Sequence, residues 1–209
     1  MPSTQTIFDA MVKFFTEDNW SFTQINKQSS LRLAFKGENE KCDCYAIARE
    51  KEKQFIFLSV CPIKVPKTKR RAVGEFLLRV NCEGVIGSFE LDFDDGEIRH
   101  KTSIEVQKNS LDSQTIKSLA YTSVMMMDRY LPGIELVIAG LMSPGEAIVE
   151  IKLWITIIVT RLPPAIAYFT RFAIANFVGC ARHLNDESKF SSLRCDRILS
   201  AVQLNPTIN

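Results

Sequence analysis

Val85-Ile86-Gly87-Ser88-Phe89-Glu90-Leu91-Asp92-Phe93-Asp94-Asp95-Gly96-Glu97-Ile98-Arg99-His100-Lys101-Thr102-Ser103-Ile104-Glu105-Val106 holds two alternating runs on either side of Asp95-Gly96. Asp-Gly is a preferred pair for a two-residue type I′ turn, so the stretch predicts a β-hairpin. With Asp94 paired to Glu97, Phe93 faces Ile98, Leu91 faces His100, Phe89 faces Thr102, Gly87 faces Ile104 and Val85 faces Val106, which makes one mostly apolar face. On the other face Asp92 meets Arg99 and Glu90 meets Lys101, opposite charges that support the register. A one-residue slip would turn the apolar set to solvent.

The flanking chain alternates between helical and strand patterns. Ser3 or Thr4 can cap a first helix whose apolar residues Ile7, Met11, Phe14 and Phe15 share a face, with an end near Asp18-Asn19. Strand patterns follow at Trp20 to Ile25, Leu31 to Phe35, Cys42 to Arg49 and Phe55 to Cys61, with turns at Gly37-Glu38-Asn39 and at Glu50 to Lys53. They form an antiparallel meander. Val73, Phe76, Leu77 and Val80 mark a second amphipathic helix before the hairpin. A third helix is expected from about Asp112 to a stop at Pro132-Gly133, with Ile134 to Leu141 as a separate helical stretch. Ser143-Pro144-Gly145-Glu146 is a capping box that opens a last helix. Hairpin-linked strands with helices between the groups give an α+β domain, an antiparallel β-sheet flanked by helices, over residues 1–151.

Charge is unevenly placed along the 209 residues, whose formal net is +2. To Ile151 there are 19 Lys and Arg against 21 Asp and Glu, and from Lys152 onward 7 against 3. A mildly acidic domain thus precedes a basic tail. The first residues carry no basic region followed by an apolar stretch, so the expected location is cytoplasmic. Cys42, Cys44, Cys61, Cys82, Cys180 and Cys195 are scattered, which fits free thiols and not a disulfide framework.

Several ordered segments resemble the bacterial YbjN family: Phe76-Leu77-Leu78-Arg79-Val80-Asn81, Gly87-Ser88-Phe89-Glu90-Leu91-Asp92, Asp95-Gly96-Glu97-Ile98-Arg99, Asp128-Arg129-Tyr130-Leu131-Pro132-Gly133 and Ser143-Pro144-Gly145-Glu146-Ala147. The likeness covers about residues 5–151. It implies a fold similar to type III secretion chaperones, often a homodimer able to hold an extended peptide, and a regulatory role in sensory transduction. It carries over no catalytic residues. The matching positions Asn81, Gly87, Asp95, Gly96, Tyr130, Pro132 and Gly140 are explained by turn chemistry and packing.

The residues themselves offer little chemistry. His100 and His183 are the natural bases near neutral pH, and neither sits in a motif. No Gly-rich phosphate loop, HExxH or GxSxG occurs. Cys42 and Cys44 share a strand face but lack a second pair for zinc, and Asp92 to Ser103 misses the glycine and glutamate positions of a calcium loop. No metal or other cofactor is therefore expected. Lys64, Lys67, Lys69, Arg70 and Arg71 form a dense basic cluster at the start of the second helix. Its plain reading is a solvated approach to the helix. Its functional reading is a partner-binding surface, because cations at a helix N-terminus oppose the macrodipole unless an anionic group sits there. Nucleic acid fits poorly with an acidic domain that lacks an aromatic-lined basic groove.

Three functions compete. The first is a non-enzymatic, chaperone-like module that binds a peptide or protein, accepting it by strand addition at an open sheet edge. The second is a ligand-sensing regulatory domain whose basic cluster holds a small anionic metabolite. The third, an enzyme, lacks a grouping of acid, base and nucleophile. Self-association is expected from the apolar surface of Ile134 to Leu141.

The resemblance ends at Ile151, and the composition changes there. Leu153 to Val159 is β-branched and uncharged, Pro163-Pro164 follows, and Ala165 to Ala181 is apolar except for Arg171 and Asn176. Residues 152–209 read either as a frame-changed extension without a packed role or as a membrane-surface segment with Arg161, Arg171 and Arg182 at the headgroups.

Overall fold

The computed structural model describes residues 6–26, 29–106 and 111–161, without the side chains of Asn26 and of 154–161. The first helix, α1 (Ile7–Glu17), starts one turn later than Ser3 or Thr4 would place it. Its cap is Thr6, whose hydroxyl accepts the Asp9 N–H at 3.0 Å while the Asp9 carboxylate accepts the Thr6 N–H at 3.3 Å. The helix buries Ile7, Phe8, Ala10, Met11, Phe14 and Phe15.

Six strands form one antiparallel sheet: β1 (Phe22–Asn26), β2 (Ser30–Lys36), β3 (Lys41–Arg49), β4 (Gln54–Val60), β5 (Ser88–Leu91) and β6 (Ile98–Glu105), in the order β1-β2-β3-β4-β6-β5. The meander is as the alternation predicts. The chain then leaves the sheet through α2 (Arg70–Asn81), returns at the far edge as β5, and turns back so that β6 fills the place beside β4.

The hairpin register differs from the sequence expectation by two residues. Leu91, not Phe93, faces Ile98, and Phe89 faces His100. The turn is a four-residue loop, closed by the Asp92 N–H to the Glu97 carbonyl and the Gly96 N–H to the Asp92 carbonyl, both at 2.9 Å, with Gly96 at φ 81°. A shift of two preserves the side of every residue, so the apolar face survives while the pairs change. Lys101 still reaches Glu90, now diagonally, but Arg99 pairs with Glu97 at 3.4 Å, and Asp92 accepts the Asp94 N–H at 2.8 Å. Val85 and Ile86 lie outside the sheet, Val85 82% exposed.

One sheet face, with Leu31, Leu33, Cys44, Ala46, Phe55, Phe57, Ile98, His100 and Thr102, is buried beneath α1 and α3 (Ser113–Ala139). Phe15, Trp20, Phe35, Phe57 and Tyr121 form a ring cluster with centroids 5.5–6.1 Å apart. The opposite face holds Tyr45, Ile47, Ile56, Leu58 and Val60 half-buried at its centre.

The third helix does not stop at Pro132-Gly133; it runs unbroken for 27 residues. Proline at 132 lacks the N–H that the Asp128 carbonyl would accept one turn back. That carbonyl instead accepts Asn39 Nδ2 at 2.8 Å, and the Asp128 carboxylate accepts the N–H groups of Glu38 and Asn39 at 3.2 and 3.0 Å. The β2–β3 turn thereby satisfies the break. Burial of Tyr130, Leu131, Ile134 and Val137 holds the second half of the helix in place; of the apolar stretch Ile134 to Leu141, Ile134 and Val137 are buried, Leu136 and Ile138 half-buried, and Leu141 exposed.

The Ser143 capping box forms as read, with the Ser143 N–H to Glu146 Oε2 at 2.8 Å and the Glu146 N–H to Ser143 Oγ at 3.3 Å. The helix it opens, α4 (Pro144–Arg161), runs across Ile151, where the sequence reading places the domain boundary. Lys152 on it forms an ion pair with Glu83 just past α2. No helix among the described residues is long and apolar enough to cross a membrane. The expectations for Ala165 to Ala181, and those for Cys180, His183 and Cys195, lie outside the described residues.

Candidate functional site

The basic cluster separates into parts with different duties. Lys64 is ion-paired with Asp95. Arg70 donates through Nη1 to the carbonyls of Phe93 (2.6 Å) and Asp94 (3.2 Å) and through Nε to that of Val65 (3.2 Å). These two cations fasten the β5–β6 loop to the start of α2. Lys69 is the N-cap residue of α2, and its Nζ lies where a Cβ on Gly140 would come within 2.7 Å, at the carbonyl end of α3. A cation there complements the helix dipole. Lys67 and Arg71 are exposed and make no ion pair among the described residues.

Arg71 also stands at the rim of a groove between α2 and β5. One side is the outer stripe of α2, with Arg71, Gly74, Glu75, Leu78 and Asn81; the other is Phe89, Leu91 and Phe93. The volume is about 410 Å³. Leu78 is 67% exposed and Phe93 57% exposed, so two large apolar side chains face water at its mouth. Gly74 forms the floor: a Cβ there would stand 3.3 Å from Phe93 Cζ and 3.7 Å from Leu91 Cδ2. Glu75 is neutralised by Arg79 at 2.7 Å.

Asn81 has a role that the sequence reading assigned to packing. The Phe89 N–H donates to Asn81 Oδ1 at 2.7 Å, and Asn81 Nδ2 donates to the Phe89 carbonyl at 3.0 Å. The side-chain amide thus takes both main-chain groups of Phe89, in the middle of edge strand β5. Strand addition at that position is closed, whereas β1 forms the other edge of the sheet. The only signal in the sequence was an Asn at the last helical turn before a strand.

Of the two histidines, His100 is described and lies in the core. His100 is 1% exposed, with its ring edge-on to Phe89 at 4.8 Å and Nδ1 3.3 Å from Ser123 Oγ. Burial pushes its pKa down to about 4. Ser123 Oγ donates to the His100 carbonyl at 2.9 Å, and Ser59 Oγ donates to the Ser123 carbonyl at 3.0 Å. This polar seam fixes α3 on β4 and β6; with both side chains sealed from solvent, the Ser123–His100 contact has no approach for a substrate. Cys42 and Cys44 are buried with their sulfurs 3.8 Å apart, and burial raises the Cys61 thiol to about 11. Among the described residues no group of three His, Cys, Asp or Glu side chains could hold a metal ion.

Residues 8–136 match the model of the YbjN family, described as "Putative bacterial sensory transduction regulator". The crystal structure of YbjN from E. coli is similar at 12% identity and a TM-score of 0.45, over 61% of this chain and 89% of that one. The ExsC-ExsE complex is similar at 9% identity and a TM-score of 0.47, over 63% and 96%. No curated protein matches the chain by sequence. The chain belongs to the YbjN family, whose model covers it from the first helix well into the third.

Proposed function

We propose that the domain is a non-enzymatic protein-binding module of the cytoplasm, chaperone-like in that it holds a segment of a partner protein in a regulatory role. The observation that carries this reading is the groove between α2 and β5, where Leu78 and Phe93 are left facing water beside the exposed Arg71. Exposed apolar side chains lining a concavity mark a docking surface, and the family's regulatory description agrees with a binding role. Of the basic cluster, Lys67 and Arg71 are the residues free to meet a partner, while Lys64, Lys69 and Arg70 serve the domain itself. That division weakens the alternative of an anionic-metabolite sensor, which needs converging free cations.

The test is gentle purification of the full chain from its native host, with mass spectrometry of co-purifying polypeptides, for wild type and for Leu78→Asp. A polypeptide retained by wild type and lost from a folded Leu78→Asp protein supports the reading. A polypeptide retained equally by both overturns it. Light scattering over a concentration series, run on both proteins, determines whether a second copy of the chain is itself the occupant.

A further inference from the structure

We infer that the occupant of the α2–β5 groove is an amphipathic helix carrying an acidic residue, and not an extended strand. The inference rests on the reading of the groove as a protein-binding surface. An added strand draws its affinity from main-chain hydrogen bonds to a free edge, with side-chain pockets supplying specificity. At β5 the groups that would bind it are spent, because Asn81 holds both the N–H and the carbonyl of Phe89 at 2.7 and 3.0 Å. β5 is only four residues long, so Phe89 is a large share of the edge. What the groove offers instead is side-chain surface along a helix: Gly74 as floor, Leu78 as one wall and Leu91 with Phe93 as the other. Such a surface is read by apolar anchors at i, i+3 or i+4, and i+7 of a bound helix, which becomes the third element beside α2 and β5.

Charge sets the second requirement. At the N-terminal end of the groove Arg71 carries free positive charge, Lys67 in the approach to α2 is likewise exposed and without an ion pair among the described residues, and α2 has no acidic residue in its first turn. The neighbouring Asp95 is already neutralised by Lys64, and Glu75 by Arg79. A carboxylate on the bound helix at this end would meet Arg71 and offset the unfavourable cations at the start of α2.

Two fluorescein-labelled synthetic peptides of the same composition, rich in Leu, Ala and Glu and about 15 residues long, decide the matter. In one, Leu recurs at helical spacing with Glu at one end; in the other, Leu alternates. Anisotropy titration of the full chain is expected to give roughly tenfold tighter binding for the helical pattern. Leu78→Asp should abolish that preference, Arg71→Gln should flatten its salt dependence, and Asn81→Ala should raise affinity for the alternating peptide by reopening the edge. Equal or tighter binding of the alternating peptide to wild type overturns the helix and leaves the groove reading intact. If neither peptide binds, or Leu78→Asp changes nothing, this inference falls. Unchanged retention of a co-purifying polypeptide by Leu78→Asp is what would bring down the groove reading as well.

Discussion

The side-chain amide of Asn39 donates at 2.8 Å to the main-chain carbonyl of Asp128, the acceptor that Pro132 leaves without its helical partner. Replacing Asn39 with Ala removes this exposed hydrogen bond and is expected to cost about 0.5–1.5 kcal/mol. Pro132→Ala restores a helical donor, so in that background the Asn39→Ala loss should shrink. Urea unfolding of the two single variants and the double variant measures the coupling, expected at about 1 kcal/mol. Additive losses would mean that the turn and the proline act independently.

Gly133 lies beneath Phe76, where a Cβ would stand 2.6 Å from Phe76 Cζ and 3.2 Å from Ile151 Cγ1. Alanine gains up to about 1 kcal/mol of helix propensity. Overpacking costs about 1–3 kcal/mol, and the contact joins α2, α3 and α4 at once. Gly133→Ala should therefore lower the melting temperature. A rise would place the Phe76 ring in looser surroundings than the structure has it.

Burial holds His100 at a pKa of about 4 against an ordinary 6.5, so the folded state favours the neutral ring. The stability tied to this is complete above about pH 6.5 and is lost as pH falls from 6.5 toward 4, where the unfolded chain binds a proton that the native state refuses. The full span is on the order of 3 kcal/mol. Unfolding free energies at pH 7.5 and 4.5 should differ by less in His100→Gln than in wild type. Equal slopes would remove His100 from the account.

The basic cluster should split under mutation. Arg70→Gln loses bonds to three carbonyls and is expected to cost about 1–2 kcal/mol. Lys67→Gln and Arg71→Gln should each stay within about 0.5 kcal/mol. Lys64→Gln breaks an exposed pair with Asp95, worth about 0–1 kcal/mol. Thermal melts of the four variants check the order.

The amphipathic stripes and turn residues made the meander, α1, α2 and the α4 capping box legible in sequence, because each depends on neighbours within a few residues. The misread elements depend on distant ones. Pro132 reads as a stop until Asn39, far away in the chain, supplies the missing donor. Asp95-Gly96 reads as a two-residue turn until Lys64 and Arg70 draw the longer loop onto α2. The basic cluster was visible as a cluster, but its division into fasteners and free cations follows from where the hairpin loop lands. Leu78 falls outside the buried stripe Val73, Phe76, Leu77 and Val80, which is the faint trace that the groove leaves in sequence.

The place of β6 in the sheet also has a kinetic meaning. Each strand of the meander pairs with one that follows after a short turn, whereas β4 pairs with β6 across the whole of α2 and β5, as in Gln54 with Glu105. Loop closure over that span comes late, and non-local pairing slows folding. A nascent domain would therefore pass through a stage in which β4, with Phe55 and Phe57, ends the sheet with its outer edge unpaired. That transient edge, and not the finished one guarded by Asn81, is where newly made chains would be most prone to join one another.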